Sequence, residues 1–477
     1  MRRSNKRGVS LIAAIAIMLL VSVLGADMAL LLGVSARASV DSFRSAQALG
    51  LAEAGLNWYM MRLAGISDWS AEADQSDVSL GPGAFDVTLT NKTSTRVDVA
   101  ITGKIDGSDG VAVKRTMSQR AWKLPSASKF AVFWGRDTGA WLQLRSGTVI
   151  NGDMWSMGTT EVMSGCSVTD GAAYRPDTED VTGSGTFTEV SVTSPYPSMP
   201  AITSTYYTNL ISTYNALIDA NTSATDIDQA TNLALTGNTV NCRDFSTDGN
   251  ITVSGYGFIV ANRNIELHSN GSDSGTLTIS PSGGNIVFIA ARSLTVNSTQ
   301  SDTAISGSSG IKMYSRSQTG TGQLLRVRND TTNIDAALLL ANRRIIVENS
   351  ANLTNSTLFV NYQASDTNNY LQVTDSGTSV GAIAGPCSLI SISGRDPGLR
   401  INNNASVTGL VYHKDAANTG YTQLDEATIT GCVIASQFTN DRIVDSAITY
   451  NPSAMQDPPP EGFDGFAAKK PDSWSGN

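Results

Sequence analysis

Residues 1–34 read MRRSNKRGVSLIAAIAIMLLVSVLGADMALLLGV. The first seven residues carry four positive charges, and from there to Val34 the only ionisable side chain is Asp27. A hydrocarbon core of about 30 Å is crossed by roughly 20 apolar helical residues. Val9–Ala26 supplies eighteen of them. The pattern predicts a membrane-spanning helix with a cytoplasmic N-terminus and the rest of the chain outside. Asp27, after about 27 Å of helical rise, is expected near the outer interface.

Two processing patterns compete in this stretch. A secretory signal combines an apolar region of 7–15 residues with an A-x-A-like cleavage site. Ala36-Arg37-Ala38 has the form of such a site, but the apolar run before it is far longer. The other pattern is cleavage after Gly8, which removes the charged leader and keeps the apolar helix.

The second pattern resembles that of type IV prepilins, in which a short basic leader and a Gly precede an apolar helix, here opened by Val9-Ser10-Leu11-Ile12. The resemblance implies removal of residues 1–8 by prepilin peptidase on the cytoplasmic face, leaving Val9 as the new, usually methylated N-terminus. Most pilins of this family carry a Glu five residues into the mature chain, where this sequence has Ala13. In lacking this Glu, the sequence resembles PilX-type minor pilins and the tip pseudopilins of type II secretion. The resemblance implies a place at the end of a fibre.

A second segment, Ser45–Leu56 (SAQALGLAEAGL), resembles the end of PilX-type N-terminal regions. Residues 35–64 contain no Pro and are rich in Ala, Leu, Met and Arg, which favour helix. We therefore expect one helix from about Val9 to about Leu63, on the order of 80 Å long. Its packing face is predicted from apolar spacing to comprise Leu49, Ala52, Leu56, Tyr59 and Leu63. Glu53 is interpreted as a solvated charge.

Residues 82–123 alternate apolar and polar side chains in three short stretches, 85–90, 97–102 and 111–114. Alternation with period two, interrupted by turn residues, predicts an antiparallel meander. We expect this small sheet to cover the outer half of the long helix.

From Lys129 onward the sequence consists of short apolar runs between Gly, Asn, Ser and Thr, and one pattern recurs at Ala261, Ala290 and Ala341. The starts are 29 and 51 residues apart, and each is followed by an alternating strand. Approximate repeats of this length predict stacked coils, here a right-handed parallel β-helix beginning near Leu142. This half of the chain also resembles the β-helical domains fused to PilX-like N-termini.

Two segments depart from this rhythm. Tyr206–Ala220 lacks Gly and Pro and has apolar residues at helical spacing, which predicts a helix on the flank of the β-helix. The tail after Tyr450 is rich in Pro and is expected to be extended over the surface or disordered, with Phe463, Phe466 and Trp474 able to dock it.

The fold class is thus mainly β with a long N-terminal α-helix. The predicted parts are a leader (1–8), a transmembrane and pilin-type helix (9–64), a small antiparallel sheet (65–124), a β-helix with a helical insertion near 205–220 (125–450), and a Pro-rich tail (451–477).

The chain has four cysteines, Cys166, Cys242, Cys387 and Cys432. An even count outside the cytoplasm permits two disulfides in three connectivities, which sequence does not decide. The pairs nearest in sequence, Cys166–Cys242 and Cys387–Cys432, are preferred, and buried free thiols are the alternative. No spacing of these residues indicates a zinc site.

Glycan-degrading enzymes with β-helical folds gather carboxylates on one face. The acidic groups here, Asp177/Glu179/Asp180 and Asp425/Glu426, are interpreted as solvated turn residues, and His268 and His413 as surface or turn residues. Asp226 and Asp228 lack the other oxygen ligands of a calcium loop. We therefore expect no catalytic, cofactor or metal site.

The formal charge of −9 becomes −13 without the four positive charges of the leader, which disfavours a nucleic-acid partner. The sequence predicts a minor pilin or pseudopilin of a bacterial inner membrane that joins a type IV pilus or a type II secretion fibre and displays its β-helix outside. The implied partners are prepilin peptidase, other pilins and the assembly platform. An envelope-anchored adhesin or carbohydrate-binding protein is the alternative, followed by a glycan-degrading enzyme, and the β-helix has a surface or a glycan as its candidate ligand.

Overall fold

The computed structural model describes residues 6–64, 66, 69–92, 96–106, 111–124, 126–136, 140–194, 196–197, 199–200, 202, 205–267, 276–296, 304–307, 310–316, 324–329, 332–361, 370–381, 387–394, 397–414, 420–454, 466–469 and 475–476. The chain forms two compact units. The first comprises Met1–Lys123 with Phe466–Asn477, and the second comprises Leu124–Gly465.

The first unit is built on a single helix, α1 (Lys6–Ala64), of 59 residues. Four strands follow it, β1 (Gln75–Leu80), β2 (Gly83–Thr90), β3 (Arg96–Ile105) and β4 (Val113–Leu124). They pair antiparallel in sequence order, with Ala100 of β3 opposite Thr88 on one side and Ser118 on the other. The predicted meander is therefore present as β2, β3 and β4. Strand β1 and the part of β4 after Lys114 were not expected from the sequence.

The alternation of side chains explains why this sheet packs on α1. Val97, Val99 and Ile101 on β3 are buried, and they form one apolar cluster with Leu56 and Tyr59 of the helix. The predicted helix face is correct at Ala52, Leu56, Tyr59 and Leu63 but wrong at Leu49, which is exposed. Ala48 is buried instead, because positions 48, 52, 56, 59 and 63 follow one stripe at 3.6 residues per turn.

The described residues of the second unit form 33 strands and one α-helix. The strands before the helix are β5 (Val132–Trp134), β6 (Trp141–Arg145), β7 (Val149–Asn151), β8 (Met154–Ser156), β9 (Thr159–Val162), β10 (Ser167–Thr169), β11 (Ala173–Pro176), β12 (Val181–Thr182) and β13 (Glu189–Val192). The helix is α2 (Thr205–Ala220), at the predicted position. Short 3-10 helices occupy Ser126–Lys129, Thr439–Asp441 and Pro452–Ala454.

The strands after α2 are β14 (Ile227–Gln229), β15 (Leu233–Cys242), β16 (Phe245–Thr247), β17 (Ile251–Ala261), β18 (Ile265–Leu267), β19 (Thr276–Ala290), β20 (Leu294–Val296), β21 (Ala304–Gly307), β22 (Ile311–Ser315), β23 (Leu325–Arg328), β24 (Thr332–Asp335), β25 (Leu338–Ala341), β26 (Ile345–Glu348), β27 (Asn352–Thr354), β28 (Thr357–Val360), β29 (Leu371–Val373), β30 (Ser379–Val380), β31 (Cys387–Ser391), β32 (Leu399–Asn402), β33 (Ser406–His413), β34 (Thr422–Asp425), β35 (Thr428–Ala435), β36 (Arg442–Val444) and β37 (Ala447–Tyr450).

These strands form two parallel sheets, one of 20 strands and one of 13. The chain places one strand in the smaller sheet, then one or two in the larger, and repeats. Inward side chains of both sheets share one apolar core, for example Leu142, Ile265 and Leu399 from the smaller sheet and Ile259, Leu358 and Val433 from the larger.

The three recurring sequence motifs lie at equivalent places in this arrangement. Ala261 is aligned with Ala290, and Ala290 with Ser315, which is aligned with Ala341. The spacing of 29 residues therefore corresponds to one repeat and the spacing of 51 to two. The intermediate repeat was missed because it has Ser315-Arg316 where the motif has Ala-Asn or Ala-Ala.

The order of the strands in space differs from their order in the chain. The smaller sheet runs β12-β9-β6-β36-β34-β32-β29-β26-β23-β20-β18-β16-β14. Its N-terminal strands thus extend the sheet beyond the last C-terminal one, and Arg442 on β36 pairs with Gln143 on β6. We expected the segment at Leu142 to open the series, but it lies beside the last repeat.

In the chain, helix α2 lies between β12 and β14, the strands at the two ends of the smaller sheet. Outward apolar side chains on successive strands of the larger sheet form a continuous file that includes Val260, Tyr314, Phe359, Tyr412 and Phe133. Tyr207 stacks on Phe359 with 4.1 Å between ring centroids, and Tyr214 lies 5.6 Å from Tyr314. Seven helical residues rise about 10.5 Å, close to the roughly 9.6 Å of two strand spacings. Each helical turn therefore meets the next strand.

The end of the chain contributes to the first unit. Strands β38 (Phe466–Lys469) and β39 (Ser475–Gly476) both pair with β4. The sequence predicted an extended surface segment for this tail. Phe463 and Trp474, which were expected to dock it, lie outside the described residues.

Candidate functional site

The first half of α1 is apolar and uncovered. Leu20, Leu30 and Leu31 expose between 63% and 69% of their surface, and the most apolar 18-residue window of the helix has a mean hydropathy of 2.5 with none of it buried. This helix is long and apolar enough to cross a membrane. Among the described residues it is the one helix with that length and composition. A signal sequence satisfies the same test. Asp27 is exposed on this half of the helix.

The predicted processing residues lie at the start of the same helix. Gly8, Val9 and Ala13 all belong to α1, which begins at Lys6. Met1–Asn5 lies outside the described residues. Cleavage between Gly8 and Val9 stays a prediction from the sequence.

The second half of α1 shows why the Ala- and Gly-rich segment at 45–56 has this composition. A Cβ atom on Gly103 of β3 would lie 2.0 Å from the Ala48 carbonyl oxygen, and a Cβ on Gly55 would lie 2.8 Å from the Phe85 ring. Helix and sheet backbones therefore approach so closely that only small residues fit between them. Arg115 Nε donates a hydrogen bond to Ser45 Oγ at 2.6 Å. Glu53 is exposed, as predicted.

The helix ends against a buried tryptophan. The Trp69 indole Nε1–H donates to the Leu63 carbonyl at 3.0 Å, which satisfies one of the last carbonyls of the helix. Tyr59, also buried, donates its hydroxyl proton to Glu72 at 3.3 Å. These contacts fix the length of the packed half of α1.

The four cysteines are buried and have free thiols, so the two preferred disulfides do not form in the structure. Cys387 faces the core between the sheets, whereas Cys432 faces the opposite side of the larger sheet. Cys387 aligns with Gly409, and Gly409 with Gly431, the residue before Cys432, so the two cysteines lie two strands apart. That separation, about 9.6 Å, exceeds the reach of a disulfide.

The other predicted pair is separated along the sheet. Cys166 follows β9 and Cys242 precedes β16, and these strands lie near opposite ends of the smaller sheet. Burial raises the pKa of the Cys242 and Cys387 thiols to about 12 and also raises the pKa of Cys432. These three thiols are therefore held in their neutral form.

The candidate carboxylates are engaged separately. Asp226 accepts a hydrogen bond from Arg243 Nε at 2.7 Å, and this contact lowers the pKa of the carboxyl group. Asp177 accepts from the Tyr196 hydroxyl at 2.6 Å, and Glu179 from the Thr159 hydroxyl at 3.0 Å. Asp425 is the last residue of β34, on another part of the sheet, and Glu426 follows it. Among the described residues, no group of three side chains is able to hold a metal ion.

His413 is a correction to the sequence interpretation, because it is buried in the unit and not on its surface. Its Nε2 lies 2.9 Å from the Ser393 carbonyl and its Nδ1 lies 2.9 Å from the Thr422 hydroxyl. Because a carbonyl only accepts, Nε2 donates to Ser393, whereas the Thr422 hydroxyl is able either to donate to Nδ1 or to accept from it. His268 lies outside the described residues.

The structure therefore defines a class of protein: a long helix, half uncovered and half packed on an antiparallel sheet, in a chain that also carries a large unit of two parallel sheets. No family model matches this chain, and no curated protein matches it. A similar solved structure is that of the competence-associated pilin ComZ from Thermus thermophilus, with 12% identity, a TM-score of 0.18, and coverage of 91% of this chain and 97% of that chain. At that TM-score the similarity carries no argument.

Proposed function

We propose that this chain is a pilin-like subunit of a type IV pilus or of a related type II secretion fibre, in the PilX-like minor class. The observation that carries the proposal is the division of α1 into two halves. Its outer half packs on the sheet through Ala52, Leu56 and Tyr59, while from Ala14 to Val34 every side chain is exposed and all but Ser22 and Asp27 are apolar.

A helix of this kind requires an apolar environment that the chain does not provide. Contiguous exposed apolar surface much larger than a few hundred Å² marks a site of contact with a membrane or another protein. The membrane satisfies this requirement before assembly, and neighbouring helices of a fibre satisfy it afterwards. Prepilin peptidase, other pilins and the inner-membrane assembly platform are the partners that this role requires. The small residue Ala13, where most pilins carry a Glu, favours the minor class.

We further propose that the two parallel sheets form a parallel β-helix that is displayed outside the membrane without catalytic activity. Each repeat leaves the smaller sheet, passes through the larger one and returns one strand further along, as Ile265, Leu294 and Leu325 illustrate in successive strands. This connectivity supports the winding of a β-helix. The separate partners of the candidate carboxylates support a binding role over a catalytic one.

The mature N-terminus tests the proposal. The full chain is produced in a strain that has prepilin peptidase and in an isogenic strain without it, and intact-mass spectrometry locates the first residue. We expect a methylated chain beginning at Val9 only when the peptidase is present. Gly8→Val should block cleavage, whereas Gly25→Val, at a position with open space around it, should not. A mature chain that begins at Met1 or Ser39 would contradict the proposal.

An envelope-anchored adhesin without a fibre role is distinguished by location. We expect the chain in the sheared fibre fraction together with the other pilins. Recovery in the membrane fraction alone, with normal fibres after deletion of residues 126–450 but no surface attachment, would favour the adhesin.

A further inference from the structure

The outward face of the smaller sheet carries a repeating pattern on five neighbouring strands, β29, β32, β34, β36 and β6. Their central outward side chains alternate between amide and guanidinium, and we call this set the Gln/Arg ladder: Gln372, Arg400, Gln423, Arg442 and Gln143. Gln372 aligns with Arg400, Arg400 with Gln423, and Arg442 with Gln143. Gln423 and Arg442 lie on adjacent strands, which are paired at Asp425 and Val444, while Thr422, the residue before Gln423, forms a bridge with Phe438.

An aromatic residue accompanies each strand that carries a glutamine. Tyr370 and Tyr421 directly precede β29 and β34, and Trp141 is the first residue of β6. On the arginine strand β32, Gly398 holds the corresponding position. The pattern therefore repeats every two strands, a distance of about 9.6 Å along the sheet.

Burial shows that these side chains face away from the core. On β6 the inward residues Leu142 and Leu144 are fully buried, while Gln143 between them is half-buried and Trp141 is 52% exposed. The same alternation holds on β32, where Leu399 and Ile401 flank a half-buried Arg400. The ladder is thus a continuous surface crossed by a repeating set of polar and aromatic groups.

One of the two arginines of the ladder, Arg400, lies over an aromatic ring, beside Arg344, which is not part of the ladder. The Arg400 guanidinium carbon lies 4.8 Å from the centre of the Tyr370 ring, and that of Arg344 lies 5.5 Å from the same ring. Arg344 Nη1 also lies 3.3 Å from the Tyr370 hydroxyl. Guanidinium groups stacked on a ring lose little further freedom when they bind, and their planar fork matches a carboxylate.

The charge of this face contrasts with that of the whole chain. The formal charge of the chain is −9, but the ladder contains two arginines and no acidic residue. Carboxylates also border the ladder: Glu161 accepts from Gln143 Nε2 at 2.6 Å, Asp425 lies two residues beyond Gln423 on the same strand, and Asp441 directly precedes Arg442 and is paired with Arg136. An anionic ligand therefore meets positive charge here and repulsion over much of the remaining surface.

We propose that this face binds a linear acidic polysaccharide that lies across the strands and carries one carboxylate on every second sugar. Two pyranose rings of an extended chain cover about the same length as two strand spacings. Each carboxylate would meet an arginine fork, and each intervening sugar would meet an aromatic ring and a glutamine amide. The proposal concerns the second unit alone and does not rest on the fibre role.

A binding experiment with defined glycans tests it. The full chain in detergent micelles is titrated, at physiological salt, with a hyaluronan oligosaccharide, in which uronate and N-acetylglucosamine alternate. A neutral chitin oligosaccharide and dextran sulfate, with charge on every sugar, serve as comparisons. We expect hyaluronan to bind, chitin not to bind, and dextran sulfate to bind more weakly.

Variants locate the binding surface. Arg400→Gln, Arg442→Gln and Trp141→Ala should each weaken hyaluronan binding about tenfold, because each removes one charge-assisted or stacking contact. Arg243→Gln is the matched control, an exposed arginine paired with Asp226 beside β16, far along the same sheet. It should leave binding unchanged.

Three results would overturn the proposal. The first is no hyaluronan binding by the native chain. The second is equal binding of dextran sulfate or of duplex DNA with the same loss in the variants, which would show an unselective polyanion surface. The third is an equal loss in Arg243→Gln. Because Trp141 is half exposed, Trp141→Ala should keep the native melting temperature, and it decides the question if an arginine variant proves unstable.

Discussion

Substitution of Gly103 tests the close contact between α1 and its sheet. A Cβ atom at this position would lie 2.0 Å from the Ala48 carbonyl oxygen and 2.8 Å from the Ala52 amide nitrogen. Both are backbone atoms of a regular helix, so no side-chain rotation relieves the clash. Gly103→Ala therefore requires α1 and β3 to separate by more than about 1 Å to restore ordinary contact distances.

The expected destabilisation follows from two opposing terms. Overpacking of this kind lowers the free energy of unfolding by about 1–3 kcal/mol. A clash with helix backbone atoms favours the upper end of that range. Replacing Gly by Ala also restricts the unfolded chain, which returns about 0.4–1 kcal/mol. We expect a net loss of about 2 kcal/mol. Gly50→Ala, a helical position with nothing within 4 Å, should instead stabilise by about 0.5–1 kcal/mol.

Hydrogen–deuterium exchange of the full chain in detergent measures this effect locally. Peptides from β3 should exchange roughly thirtyfold faster in Gly103→Ala, the factor that corresponds to about 2 kcal/mol, and more slowly in Gly50→Ala. Peptides of the second unit serve as the internal reference. Unchanged protection of β3 in Gly103→Ala would refute the inference that backbone contact fixes the helix on the sheet.

Three further predictions concern the second unit. Tyr207→Ala should destabilise this unit by about 3 kcal/mol, because the substitution removes the ring stacked on Phe359. The same substitution at the exposed neighbour Tyr206 should cost less than about 1 kcal/mol. Thermal unfolding compares the two variants. The four thiols should resist iodoacetamide at pH 8 and react after denaturation, and early labelling or a shift on a non-reducing gel would contradict their burial. Burial raises the pKa values of Cys242 and Cys387 from 9.0 to about 12. Because the unfolded chain releases these protons first, the stabilisation is fully present below pH 9 and is lost as the pH rises toward 12. A free energy of unfolding that stays constant up to about pH 11 would refute this.

Local patterns in the sequence predicted individual elements well. Helix α1, helix α2 and strands β2 and β3 follow directly from apolar spacing, since a period of 3.6 or 2 residues states which side chains share a face. Leu49 was placed wrongly because it lies beside the buried stripe and not within it. The repeats were visible at Ala261 and Ala290 but not at Ser315, where the motif residues differ.

Long-range contacts were not predictable in this way. His413 was interpreted from the sequence as a surface or turn residue, and only the folding of Ser393 and Thr422 around it provides partners for its burial. The cysteines were paired by proximity in sequence, but the alternation of strand faces separates Cys387 from Cys432. Such features depend on which strands become neighbours.

The sequence by itself determined that the chain has an uncovered apolar helix, a small antiparallel sheet and a long series of short strands. Only the tertiary structure decided the order of those strands, because parallel pairing is made by backbone groups that are the same in every residue. It placed Arg442 beside Gln143 and thereby completed the Gln/Arg ladder from two distant parts of the chain. A surface of that kind has no local signature, since its members are adjacent only after the chain has folded.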